Sequence, residues 1–345
     1  MKSIILKIIL LVCGVFIALF IAEITIRCFK LAPVMLDYNI IYSYQFVDNP
    51  SICYKIKPSA DKDINSEGFR GKEFIPKEDK NLVRIIMLGD SITYGFRVKQ
   101  SETFSEVLER MLNAKSQVLS SPTRYNVMNL GVGGYNIVSE VEVLKAYGLK
   151  YNPNIVVLNY FFNDDDMYSF DYWSFLKRKD ITLAEKNWAY QYYLSPDSFR
   201  WNRLFFRSHL FVYLWAIVHR LQDSFLEFKN IEYAAYKNDI VSVKLAELKK
   251  MGVDYNFKIL ICMHPILDYD KNKHNPNYSK TKKIAEKLGI PCLDLLPYYM
   301  QQSDDPGTFL VRERDVYHPN AVGHSLIARS LQFELGRIGY IKLEN

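Results

Sequence analysis

The chain has 345 residues, 49% of them hydrophobic, and a net charge of +6 at pH 7, enough for one large elaborated domain or two small ones. Its basic residues form no long block, so the composition carries no nucleic-acid footprint. Five cysteines, at 13, 28, 53, 262 and 292, fall far short of a disulfide framework; with no C-x-x-C pair and scattered histidines, no metal site is expected.

Met1-Lys2-Ser3 precedes a largely apolar run from Ile4 to Ala22, broken only by Lys7. About twenty apolar residues span a bilayer, and Lys7 lies close enough to one end to snorkel. A cleavable signal peptide is the competing reading. Phe20 stands two residues before Ala22, where a small-x-small site needs a small residue, so residues 1–30 are expected to form a retained anchor. Cys13 follows Val12 inside the run and reads as a membrane-buried thiol. Lys2, Lys7 and the free amine place the amino end in the cytoplasm and the remaining chain on the periplasmic or extracellular side, although Arg27 and Lys30 blur the asymmetry. An exported domain permits a bridge from Cys53.

Residues 31–80 form a turn-rich connector expected to pack on the core. From Leu82 an aliphatic run reads as a buried parallel strand, ending at Gly89-Asp90-Ser91-Ile92-Thr93 before a helical stretch near Glu102. Ser91 thus falls just past a strand end, where its hydroxyl projects from the sheet rim and its N–H is free for an anion. A plain strand-to-helix turn is the alternative. Phe104, Val107, Leu108, Met111 and Leu112 have helical spacing with Ser101 or Thr103 as cap, and a second helix is expected over Glu140 to Leu149. Tyr125-Asn-Val-Met and Ile155 to Leu158 read as further strands, leading to Asn129-Leu-Gly-Val-Gly-Gly-Tyr-Asn136 and Phe161-Phe-Asn-Asp164. This strand–helix alternation predicts a parallel sheet covered on both faces, with the site at the strands' carboxyl ends.

The stretch 165–236 interrupts the rhythm and reads as a mostly helical insertion rich in aromatics, among them Trp173, Trp188, Trp201 and Trp215. A lid, a pocket wall and a membrane contact are the readings open for it; its apolar run from Leu210 to Val218 is too short to span a bilayer. Asp164-Asp165-Asp166 lacks the glycine and distal glutamate of a calcium loop and reads as a solvated turn. The alternation resumes with a helix around Ile240 to Lys250, a strand from Phe257, a helix around Lys280 to Leu288, and a strand from Ile290. Cys262 and Cys292 sit in these strands as buried free thiols. His264 follows a strand and either lines the pocket or shapes a turn. His324, on a final helix from Ala321 to Leu335, reads as packing or capping.

Asp315-Val-Tyr-His318 supplies what Ser91 lacks. An alcohol needs a base near neutral pH, and an imidazole needs a carboxylate to fix its tautomer. Three-residue spacing in a turn lets Asp315 reach one ring nitrogen of His318 while the other faces Ser91. Gly89-Asp-Ser-Ile-Thr93 with a terminal Asp315-x-x-His318, and the two intermediate blocks, resembles the SGNH (GDSL-type) hydrolase family over about Leu82 to Gly339, apart from the insertion. Asn65-Ser-Glu-Gly-Phe-Arg-Gly71 also resembles a segment ahead of the serine block in membrane-anchored members, with Arg70 either docking on the core or approaching an anionic substrate.

The resemblance implies a flavodoxin-like three-layer α/β/α sandwich with a central parallel sheet, making residues 81–345 one domain. It implies Ser91 as nucleophile, His318 as base, Asp315 as its orienting acid, and an oxyanion hole of the Ser91 and Gly134 N–H groups with the Asn163 side chain. Asp90, Gly133, Phe161 and His264 are candidate pocket residues. Phe161 stands where members carry glycine, which puts the pocket's shape in question. No cofactor is implied. The expected substrate is an O-acyl ester on a cell-envelope or extracellular carbohydrate. Acyl transfer to a glycan, lipid or thioester hydrolysis, and a non-catalytic glycan-binding scaffold are the alternatives.

Overall fold

The computed structural model describes residues 2–29, 44–47, 49, 51–52, 54–58, 62–74, 79–164, 208–211, 213–214, 217, 231–270, 276–313 and 315–342. The four tryptophans, Cys53 and most of the insertion lie outside these residues. By their contacts the residues fall into two units, Met1–Tyr42 with Thr182–Ala234, and Ser43–Ile181 with Ala235–Asn345.

In the first unit, α1 (Lys2–Cys28) is apolar on every side: Ser3–Cys28 has a mean hydropathy of 3.1 over its most apolar window. Its length and composition suffice to cross a membrane. Glu23, near its end, accepts from the Ser208 hydroxyl and from the His209 and Leu210 N–H groups at 2.7 to 2.9 Å.

In the second unit, β1 (Tyr44–Phe46) and β2 (Tyr54–Ile56) form a small antiparallel pair. The main sheet comprises β3 (Leu82–Leu88), β4 (Arg124–Asn129), β5 (Ile155–Tyr160), β6 (Lys258–Met263) and β7 (Cys292–Asp294), all parallel, in the order β4-β3-β5-β6-β7. Numbered within the sheet this is 2-1-3-4-5, the flavodoxin-like order, whose crevice for ligands lies beyond the carboxyl ends of the first and third strands. Those are β3 and β5.

Period-two alternation divides the apolar side chains between two layers. Ile86 and Leu88 of β3 join Val156, Leu158, Ile259 and Ile261 against α4 (Ile137–Val143), α5 (Ile231–Asp254) and α6 (Pro276–Leu288). Ile85 and Met87 face the other way, with Val157, Leu260 and Cys262, against α3 (Phe104–Val118) and α8 (Ala321–Arg337). The apolar strands of a doubly covered sheet have this need for two faces.

The one-turn α2 (Ser91–Tyr94) follows β3, and α7 (Leu296–Gln302) follows β7. Thr103 caps α3, accepting from the Glu106 N–H. The helix expected at Glu140 begins instead at Ile137, because the Asn136 side chain takes the N–H groups of Val138 and Ser139; it opens into a wider turn over Leu144–Gly148. Helix α5 starts nine positions earlier than its periodic core indicates. Arg70 docks on the core: its guanidinium donates to the carbonyls of Tyr94, Gly95 and Val98, the last at 2.7 Å.

Candidate active site

Strand β3 delivers the chain to a tight turn. Gly89 is packed so closely on Thr93 and Asn159 that any Cβ would collide with them, so glycine is the residue this approach admits. Asp90 then caps α2, its Oδ1 accepting the Ile92 N–H at 2.8 Å. The effect is to hold Ser91 at the helix start, half-buried, at the carboxyl end of β3.

The partner groups arrive on a loop stapled at both ends. Leu310 and Pro319 form a bridge, Val311 donates to the His318 carbonyl at 3.0 Å, and Asn320 caps α8 while its amide donates to the Thr308 and Leu310 carbonyls. Inside the loop, Asp315 Oδ1 accepts from the N–H groups of Tyr317 and His318 as well as from His318 Nδ1, the last at 2.8 Å. Its Oδ2 receives Arg312 Nε at 3.2 Å. Burial works against the Asp315 carboxylate, yet the bond and charge of His318, with Arg312, hold it below the usual carboxylate range. His318 Nε2 lies 2.9 Å from Ser91 Oγ. The serine, imidazole and carboxylate named from the sequence therefore form one continuous hydrogen-bonded chain.

Gly134 lies exposed after β4, at φ +82°, in a conformation that disfavours a side chain. Tyr54 of β2 fixes this turn, its hydroxyl donating to the Gly133 carbonyl at 2.9 Å, while Tyr135 donates back to the Tyr54 carbonyl at 2.5 Å. Among the described residues, neither the Ser91 nor the Gly134 N–H is spent on a protein acceptor. Asn163 follows β5, and its side-chain amide donates to the Tyr135 carbonyl at 3.2 Å. Its Oδ1 is buried without a partner.

Phe161 is buried, its N–H held by Asp164 Oδ2 at 2.9 Å, and it packs edge-on to Phe162 and Tyr317. Phe162 and Tyr317 meet at 5.3 Å between ring centres, and Phe96 lies 4.6 Å from the His318 ring. Where the family pattern has glycine, this chain thus carries a buried ring packed against Tyr317, the residue before His318. His264 is not brought to Ser91 or His318. It is buried, its Nε2 on Asn159 Oδ1 at 3.1 Å and its ring near Phe104, and burial pushes it down to about 3. His324 is buried as well, its Nδ1 accepting the Phe104 N–H at 3.1 Å, so it acts as a packed cap on α3. No cluster of metal-ligating residues occurs among the described residues.

Sequence reasoning did not single out Phe96, Tyr54, Arg312 or Tyr317. Arg312 alone had a signal, its three-residue spacing from Asp315; the others meet the site through tertiary contacts.

No family model and no curated protein matches the sequence. Among solved structures, an acetyl xylan esterase, AlAXEase, is 18% identical, with 73% of this chain and 100% of that one covered and a TM-score of 0.40. An acetylxylan esterase from Geobacillus stearothermophilus is 15% identical, covering 76% and 96%, with a TM-score of 0.45. A lipolytic protein of the G-D-S-L family from Veillonella parvula is 14% identical, covering 74% and 99%, with a TM-score of 0.43.

Proposed function

We propose that this chain is a membrane-anchored serine esterase of the SGNH type that removes O-acyl groups, acetyl foremost, from cell-envelope or extracellular carbohydrate. The observation that carries this is the hydrogen-bonded run from Ser91 through His318 to Asp315, at 2.9 and 2.8 Å. Ser91 follows β3, at the crevice beyond β3 and β5, and neither its N–H nor that of Gly134 has a protein acceptor among the described residues. Helix α1 serves as the anchor, with the esterase unit outside the cytoplasm.

In this reading His318 Nε2 takes the Ser91 proton as Oγ forms a bond to the acyl carbon. Asp315 holds the ring through Nδ1 and balances the imidazolium. The carbonyl oxygen, now negative, is held by the N–H groups of Ser91 and Gly134, and the Asn163 amide turns one N–H to it. Each such donor is worth about a hundred- to a thousandfold in rate. As the tetrahedral adduct collapses, the C–O bond to the sugar breaks and His318 returns its proton to the leaving hydroxyl. Water, activated by the same ring, then releases the carboxylic acid. Tyr317, exposed beside His318, and Phe162 packed against it offer ring faces to an apolar sugar face.

The test is to label the full chain in detergent with a fluorophosphonate, alongside Ser91→Ala and His318→Ala, and to measure acetate released from acetylated glycans with and without a glycan acceptor. Labelling and acetate release that both vanish in the variants support the proposal. An unlabelled, folded wild-type chain refutes it.

A further inference from the structure

The bonds that converge on the loop after β4 single out one peptide. Val132 to Tyr135 form a tight turn, closed by the Tyr135 N–H on the Val132 carbonyl at 3.1 Å. Of its two central residues only Gly134 has a positive φ, +82°, which is the type II pattern. Types I and II share the closing bond and differ by about half a turn of the central peptide. Here that peptide joins Gly133 to Gly134. Its N–H, which has no protein acceptor among the described residues, is the one assigned to the oxyanion.

A turn with glycine at both central positions has little of its own to choose between the two forms. Tyr54 supplies the choice. The Gly133–Gly134 peptide is planar and trans, so its carbonyl and its N–H point in opposite directions. The Tyr54 hydroxyl donates to that carbonyl at 2.9 Å. A flip to the type I form carries the carbonyl away from the hydroxyl, and the Gly134 N–H turns with it. The bond also polarises the peptide, which strengthens the N–H at its far side as a donor.

Tyr54 is itself held from the same turn. Its carbonyl accepts from the Tyr135 hydroxyl at 2.5 Å, the two rings lie 5.5 Å apart, and it pairs with Phe46 of β1. Just upstream, the Ser51 carbonyl accepts from the Ser139 hydroxyl of α4 at 2.8 Å. The Tyr135 carbonyl in turn accepts from the Asn163 amide at 3.2 Å. Building on the esterase reading, we propose that Tyr54 is a positioning residue: its hydroxyl latches the Gly133–Gly134 peptide in the orientation that serves the oxyanion, and the Tyr54–Tyr135 pair keeps that donor in register with Asn163. The strand pair ahead of the serine block is then a working part of the site, not a spacer.

Tyr54→Phe removes the hydroxyl and keeps the ring against Tyr135. In the full chain in detergent, kcat for p-nitrophenyl acetate is expected to fall about tenfold, short of the hundred- to thousandfold of a deleted donor, with KM within about twofold. Trifluoroacetone, whose serine adduct carries a negative oxygen where the substrate's forms, is expected to lose affinity by the same factor as kcat/KM. The melting temperature moves by only a few degrees, as for one hydrogen bond. A fall in stability with kcat and trifluoroacetone affinity unchanged, or a loss confined to KM, overturns the proposal. Tyr135→Phe, which removes the bond to the Tyr54 carbonyl, is expected to lower kcat less, and the double variant to lose less than the product of the two; losses that multiply overturn the shared latch. If Tyr54→Phe does not fold, Tyr135→Phe decides by the same split. A folded wild type that neither labels with a fluorophosphonate nor turns over the ester refutes the esterase reading and the latch with it. An active wild type matched by Tyr54→Phe refutes the latch alone.

Discussion

Replacing Asp315 by asparagine keeps the side chain's shape and removes its charge. The carboxylate is buried, its side chain 4% exposed, and accepts His318 Nδ1 at 2.8 Å. Taking the ion-pair charges as about 4 Å apart at an effective dielectric of about 20, the imidazolium formed during attack loses about 4 kcal/mol of stabilisation. That corresponds to about a thousandfold in rate. Asparagine also permits the wrong ring tautomer, which adds to the loss. The assay is kcat/KM for p-nitrophenyl acetate together with the fluorophosphonate labelling rate at Ser91, with circular dichroism as the check on folding. Both rates are expected to fall by a thousandfold or more. A folded Asp315→Asn protein within tenfold of wild type refutes the orienting role. The same contact has a stability signature. Because the folded carboxyl is held below its unfolded value, it contributes stability above the ordinary aspartate range and loses it as the pH falls through the lowered value.

Gly134→Ala places a Cβ 2.6 Å from the Tyr54 hydroxyl at a positive φ; a loss of about 1–2 kcal/mol in urea unfolding and at least a tenfold drop in kcat are expected. Tyr317→Ala removes the exposed ring packed on Phe162, and loss of a contact worth about 1 kcal/mol is expected to raise KM for acetylated oligosaccharides about fivefold, with kcat and p-nitrophenyl acetate turnover little changed. A fall in kcat alone would show that Tyr317 acts on His318 instead. His264 and His324 are both pushed down to about 3 by burial. The unfolded chain therefore binds protons that the folded chain refuses, so stability declines as pH drops from about 6.5 toward 3. Urea midpoints at pH 7, 5 and 4 check this, and replacing either histidine by glutamine is expected to flatten the slope.

The sheet was legible because β3, β5 and β6 are continuous aliphatic runs, each ending in a turn signal, and such runs have few alternatives to a buried parallel strand. Ser91, Asp315 and His318 were legible for a chemical reason: each residue type is demanded by the one before it. Helix starts were less so. Asn136 displaced α4 from its expected beginning through a side-chain cap, which apolar spacing does not register. His264 was ambiguous because a histidine at a strand's carboxyl end reads alike whether it faces the crevice or turns inward to Asn159. Glu140 sits in Ile-Val-Ser-Glu-Val-Glu, where alternating charge suggests a solvated face. Only the structure separates the two, with Glu140 1% exposed and Glu142 paired with Lys145 and Lys244.

The order of the pieces along the chain has a further consequence. Ser91 is fixed by the first strand of the main sheet, whereas its base rides on the loop stapled to α8, the last helix. A chain still being synthesised, or one shortened before the His318 loop, carries the alcohol without its imidazole partner. On the proposed reading, labelling of Ser91 by a fluorophosphonate would therefore count only chains that have folded through α8, a completeness check built into the order of the elements.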